Sequence, residues 1–246
     1  MLSSCNRTPS GTRTIMKNRQ LNYFFNLADN QQEVFRLELD AMTLDLVGPR
    51  LEPTPEWAVL AYHQCPHCPL HSDESPYCPL AASIAGVVKQ FRNILSYDDI
   101  FLQVETDERV VSQKTTAQRA LGSFMGVVMA VSGCPHTGFF KPMARFHLPL
   151  ASEEETIYRS TSMYLLAQYF RFMENGVSDF TMKGLEIIYK NIQIVNTSIV
   201  DRLRGASRTD SSVNAVIILD MYARIMPFVI EDSLQDIRHL FKPYLM

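Results

Sequence analysis

The chain predicts an α+β fold, a small N-terminal antiparallel sheet followed by a mainly helical bundle. Three observations carry this expectation. Apolar residues alternate with period two early in the chain, they recur at helical spacing over most of the chain after residue 79, and 46% hydrophobic with 20% charged residues in a chain of 246 is enough to bury a core. A chain this long can fold without a metal or a disulfide, so either one calls for its own reason. The composition excludes a disordered, collagen-like or disulfide-scaffold protein. A net charge of −3 with 23 basic residues scattered along the chain argues against nonspecific nucleic-acid or anionic-membrane partners.

Residues 1–20 are rich in Ser, Thr, Asn and Arg and lack the apolar run of a secretory signal, so they read as a disordered tail. Residues 21–246 read as one domain, sheet-rich over 21–110 and helical over 111–246. Tyr23–Leu27 predicts a strand, and Asp29–Asn30 supplies turn chemistry after it. Phe35, Leu37 and Leu39 alternate with Arg36, Glu38 and Asp40. Met42, Leu44 and Leu46 resume the alternation after a slip at Asp40–Ala41, as a turn or bulge would make. Pro53 to Pro55 lead through Trp57–Tyr62 into a cysteine-rich loop ending at Pro79, and Ile100–Glu105 alternates again.

Pro79 suits a first helical position, which makes Cys78 the N-cap of a helix running to about Leu95. A second helix is expected over Thr116–Val131, stopped by Ser132–Gly133. Gly122, Gly126 and Ala130 leave one of its faces bare, so a neighbouring helix or loop is expected to approach closely. Ser152 and Glu155 form a capping box for a helix to about Met173. Its apolar residues, Ile157, Tyr164, Leu165, Leu166, Phe170 and Met173 among them, cover more than one stripe and predict burial on two sides. Leu185, Ile188, Ile192, Val195, Ile199 and Leu203 mark a helix ending at Arg204–Gly205. Another is expected over Ser212–Ile225, and a last short one from near Asp232. The longest apolar stretch, Ala120–Val131, falls short of the roughly 20 residues of a spanning helix, so no membrane segment is expected.

The chemistry lies in the cysteines. With Cys5 set aside in the tail, Cys65, Cys68, Cys78 and Cys134 remain, and every one precedes a proline. Proline is 13 of 246 residues, so a given residue is followed by one about one time in twenty, and four coincidences in four need a cause. A proline fixes its own φ and biases the cysteine before it towards extended backbone, which can hold a sulfur outward from a turn. Cys65 and Cys68 have the spacing that lets one turn clasp one ion, and zinc accepts four thiolates in any sequence order. The expected metal ligands are therefore Cys65, Cys68, Cys78 and Cys134, with structural Zn2+ as the first reading.

The alternative cofactor on the same four ligands is a 4Fe-4S cluster. Cysteine followed by proline recurs in ferredoxin motifs, although the spacing here matches neither ferredoxins nor the radical enzymes that cleave S-adenosylmethionine. A cluster would imply redox, sensing or catalytic work, whereas zinc with four thiolates keeps no open position for a reacting water. The segment Cys65-Pro66-His67-Cys68 resembles the first knuckle of zinc ribbons, with Pro69 in place of the glycine and no second knuckle. It also looks like the active-site tetrapeptide of oxidising disulfide oxidoreductases of the thioredoxin superfamily, which implies a minor reading as a thiol–disulfide oxidoreductase at Cys65 and Cys68. Pro69 and the polar stretch from His71 to Pro76 argue against the helix that chemistry requires. Unliganded cysteines, or haem contact through a Cys-Pro thiolate, complete the alternatives.

His63, His67, His71 and His136 each lie near a candidate cysteine and could replace a thiolate, but more often such residues hydrogen-bond to ligands or meet solvent. Cys78 at a helix N-terminus gains a dipole that favours its thiolate. His147 and Lys141 could line a pocket near the Cys134 segment. Glu153, Glu154 and Glu155 in a first helical turn are explained by the dipole, so no catalytic carboxylate is assigned. No phosphate loop, nucleophile elbow or His-Glu-x-x-His pair is present. The expectation is a cytoplasmic metal-binding protein with a structural or interaction role, its partner an unidentified protein or small molecule. Neither oligomeric state nor enzymatic activity can be read from the residues.

Overall fold

The computed structural model describes residues 17–27, 31–48, 53–91, 93–206 and 234–245, together with residues 213, 216 and 220. Residues 1–16 of the expected tail, Cys5 among them, the Asp29–Asn30 turn and most of the helix over Ser212–Ile225 lie outside these, whereas Arg19 and Gln20, expected in the tail, are strand residues held by pairing with Leu39 and Glu38.

The fold is α+β, with a five-stranded antiparallel sheet in the order β3-β2-β1-β4-β5. Strands β1 (Arg19–Asn26) and β2 (Gln32–Leu39) pair from Arg19 opposite Leu39 to Asn26 opposite Gln32. Strand β3 is only Leu46–Val47. The alternation through Met42 and Leu44 is not a strand, because the Asp40 carboxylate accepts from the backbone N–H of Met42 at 2.8 Å and Thr43 at 2.7 Å. That local turn leaves Leu44 at φ 58°.

Helix α1 spans Pro79–Gln90 with Cys78 as its N-cap. It stops short of Leu95 because Phe91, fully buried, is wedged between Phe25 at 4.9 Å and Phe35 at 5.8 Å. Strand β4 (Asp99–Thr106) then pairs with β1, and β5 (Val110–Thr116) pairs with β4. The sheet therefore extends past residue 110. Strand β5 escaped the periodicity because it is an edge whose residues are exposed or half-buried, so no apolar alternation marks it.

Helix α2 (Ala117–Val131) follows and ends as expected, with Gly133 at φ 88°. Alternate residues of β1 and β4 (Leu21, Tyr23, Phe25, Ile100, Leu102, Val104) share one core with α1 and α2, and Val195, Ile199 and Leu203 join them. A short helix α3 (Lys141–Arg145) leads to α4 (Glu153–Met173), whose capping box is complete: Ser152 Oγ accepts from the Glu155 N–H, and the Glu155 carboxylate accepts from the Ser152 N–H. Helix α4 buries one stripe rather than two. Ile157, Ser160, Thr161, Tyr164 and Gln168 face inward, whereas Leu166 and Phe170 are more than half exposed. Helix α5 spans Lys183–Ala206, and helical turns cover 234–237 and Arg238–Tyr244. No helix among the described residues is long and apolar enough to cross a membrane.

Two polar pairs make the fold lose stability as pH falls, one through a carboxylate and one through a histidine. Arg19, buried in β1, donates to both carboxylate oxygens of Glu108 at 2.7 and 2.8 Å. These hydrogen bonds hold Glu108 down at about 2. The pairing is in place above the ordinary carboxylate range and is lost as pH falls through that value. Glu108→Gln is expected to flatten the decline in melting temperature between about pH 5 and about pH 2.5.

The Tyr23 hydroxyl donates to Nε2 of His147, which requires a neutral imidazole. Burial, with help from the charges of Arg159 and Arg19, pushes His147 down to about 3. A histidine depressed in the fold gains its proton first in the unfolded chain, so stability falls as pH drops below about 6.5. The loss between pH 7 and pH 5 is about 2 kcal/mol. Thermal melts of His147→Gln at those two pH values are expected to differ by correspondingly less than those of the wild type.

Candidate metal centre

Three turns carry the four cysteines. In the first, the Cys68 N–H donates to the Cys65 carbonyl at 3.0 Å, closing a β-turn with Pro66 at the corner where its fixed φ is preferred. Gln64 braces the turn by donating from Nε2 to the Leu70 carbonyl at 3.0 Å. In the second, Cys78 sits at φ −66°, ψ 116° and caps α1 with its backbone alone, its thiol making no capping hydrogen bond. Its N–H donates to the Ala58 carbonyl at 2.8 Å. In the third, Cys134 follows Gly133, and its N–H donates to Ser132 Oγ at 3.2 Å. A Cβ on Gly133 would stand 3.9 Å from the Cβ of Pro79, so the third turn lies against the start of α1, next to Cys78.

The sulfurs are neighbours in charge. Burial pushes the Cys65 thiol up, a hydrogen bond from Ser198 opposes this, and the charges of Cys78, Cys134 and Cys68 all push in the same direction as burial. Cys134 is likewise raised by burial and by Cys78, while the backbone N–H groups of Thr137 and His136 and the Thr137 hydroxyl favour its thiolate. All four cysteines carry free thiols. Among the described residues, no three or more His, Cys, Asp or Glu side chains are gathered tightly enough to hold an ion as they stand.

Two histidines lock the turns together. The rings of His67 and His136 stack at 3.9 Å with 12° between their planes. His136 Nε2 donates to the His67 carbonyl at 3.0 Å, and His67 Nε2 donates to the Asn191 carbonyl at 3.2 Å. The buried Nδ1 of His67 has no partner; with Nε2 as the donor, a neutral ring presents a lone pair there. Burial, then the charge of His136, pulls His67 below its ordinary value, in keeping with that neutral ring. His63 is exposed at φ 45° and His71 is exposed as well. Lys141 serves elsewhere, donating to Asp45 at 2.6 Å and to the Thr43 carbonyl at 2.8 Å. His147 lines a cavity beside α2.

The residue that sequence reasoning missed is Arg202. It is 1% exposed and donates to the carbonyls of Trp57, Val59 and Leu60, each at 2.8 Å. Burial lowers its affinity for its proton, and Cys78, Cys65, Cys68 and Tyr62 restore part of it. No carboxylate pairs with it among the described residues, and the groups that would favour its charge when ionised are the nearby sulfurs and Tyr62. The signal was present in α5: Arg202 continues the inward row of Val195 and Ile199 at helical spacing, a place where a charge needs a partner.

The arrangement can hold anionic sulfur. It offers four thiols from remote segments, N–H donors at Cys134, a hydroxyl at Cys65 and a buried cation. Residues 21–242 match the family described as Domain of unknown function (DUF6901). No curated protein matches the chain, and neither does any solved structure.

Proposed function

The chain belongs to the DUF6901 family, and for it we propose a metal-binding protein of a reducing, cytoplasmic compartment whose Cys65, Cys68, Cys78 and Cys134 hold one zinc ion as a structural centre. The observation that carries the reading is convergence: sulfurs from three separate Cys-Pro turns fall within electrostatic reach of one another beside a buried arginine that has no carboxylate partner among the described residues. Four neutral thiols would leave Arg202 an uncompensated buried charge, which is costly. A zinc ion with four thiolates carries two net negative charges and compensates it.

The Cys78 thiol is not spent on its helix cap and is left free to turn toward an ion. The centre would join the 65–78 loop to the Cys134 turn and dock both on α5, so metal binding would be folding energy for this corner. The test is elemental analysis with visible absorbance on anaerobically purified protein. One zinc per chain and no visible colour is the expected result. Iron with acid-labile sulfide and a broad visible band would place a 4Fe-4S cluster on the same ligands, and metal-free protein of full stability would overturn the centre altogether.

A further inference from the structure

We propose that the cavity enclosed by α2, α4, α5 and residues 137–151 is a binding site for a small free organic acid with an apolar body, held through Asn196 and Arg159. The cavity measures about 220 Å3, below the roughly 300–1,000 Å3 of sites for drug-sized molecules. Its floor is the bare face of α2, where Gly122, Gly126 and Ala130 line it.

Asn196 points the occupant out. It is fully buried and lines the cavity, and among the described residues neither its amide nitrogen nor its amide oxygen has a hydrogen-bond partner. A side chain that could both donate and accept is thus left unsatisfied in the empty protein, where an apolar residue of like shape would be the more stable choice. Arg159 supplies the charge. Its Nη2 donates to the carbonyls of Met143 and Phe146, each at 2.9 Å. Among the described residues it makes no ion pair and no acidic side chain lines the cavity. Burial lowers its affinity for its proton, and the charges of Glu155 and Tyr189 restore part of it. A carboxylate answers the guanidinium's remaining donors, a hydrogen-bonding group meets Asn196, and an apolar body fits walls such as Val127, Leu148 and Ile192.

The site stands independently of whether the cysteines hold a metal. Calorimetry and thermal melts of the full chain with sodium octanoate, against octan-1-ol as the neutral analogue, test it. Octanoate is expected to bind about tenfold or more tightly than the alcohol. Asn196→Leu is expected to raise the melting temperature of the free protein by about 2–4 °C while weakening octanoate about tenfold, because the amide is kept for the ligand at a cost in stability. Gly126→Leu should fill the floor and abolish binding of both compounds. Failure of octanoate, hexanoate and benzoate alike to bind, equal affinity for acid and alcohol, or a lower melting temperature in free Asn196→Leu protein overturns the assignment.

Discussion

Replacing Arg202 by alanine is expected to cost the fold about 3–5 kcal/mol, the range for removing one side of a buried charged network. Its guanidinium is the joint donor to the carbonyls of Trp57, Val59 and Leu60. Those residues are the strip against which the cysteine loop is hung: the Cys78 N–H reaches Ala58, the Leu60 N–H reaches the Pro76 carbonyl, and Val59 bridges Tyr77. Truncation would take this donor from the Trp57 and Leu60 carbonyls, leave Val59 with only the Tyr62 N–H, and free the strip, so zinc content should fall with stability. Arg202→Lys would keep the charge, but a single ammonium cannot reproduce the planar fork. It is expected to recover part of the metal content and little of the stability. Urea unfolding of both variants, with elemental analysis, reads the effect; a loss below about 1 kcal/mol in the alanine variant would show that the carbonyls find other donors.

Cys78→Ser separates a ligand from a cap. Cysteine is an indifferent N-cap and serine is a favoured one, so on capping alone the variant should gain up to about 1 kcal/mol. As a ligand, Cys78 closes the chain from α1 to Cys134 through the metal, and for a loop of roughly fifty residues that constraint is worth about 4 kcal/mol. The net expectation is a fall in melting temperature of about 6–12 °C together with loss of zinc. A rise in melting temperature with unchanged metal content would leave Cys78 as a poor cap and nothing more. Because the two roles move stability in opposite directions, the sign of the shift decides between them.

Where local rules decide, the residues could be read directly. Pro79 and Cys78 start α1, Ser152 with Glu155 starts α4, and Gly133 ends α2, since caps and left-handed turns depend on neighbours along the chain. The elements that departed did so for non-local reasons. Strand β5 is held by its pairing with β4 and needs no apolar face of its own. Helix α1 ends early because Phe91 is caught by Phe25 and Phe35. The large apolar residues of α4 do not face the core, because hydroxyls and an amide occupy the stripe that does.

The sequence by itself determined the α+β class, the helix starts and the four Cys-Pro positions, because each follows from periodicity or from the stereochemistry of adjacent residues. Only the tertiary structure decided that the three cysteine turns are neighbours, that Arg202 lies among them, and that the glycine face of α2 opens on a cavity holding an unpaired Asn196. Each of these depends on which distant surfaces meet when α5 packs across the cysteine loop and the end of α2. Burial and charge act through space, so no spacing along the chain encodes them.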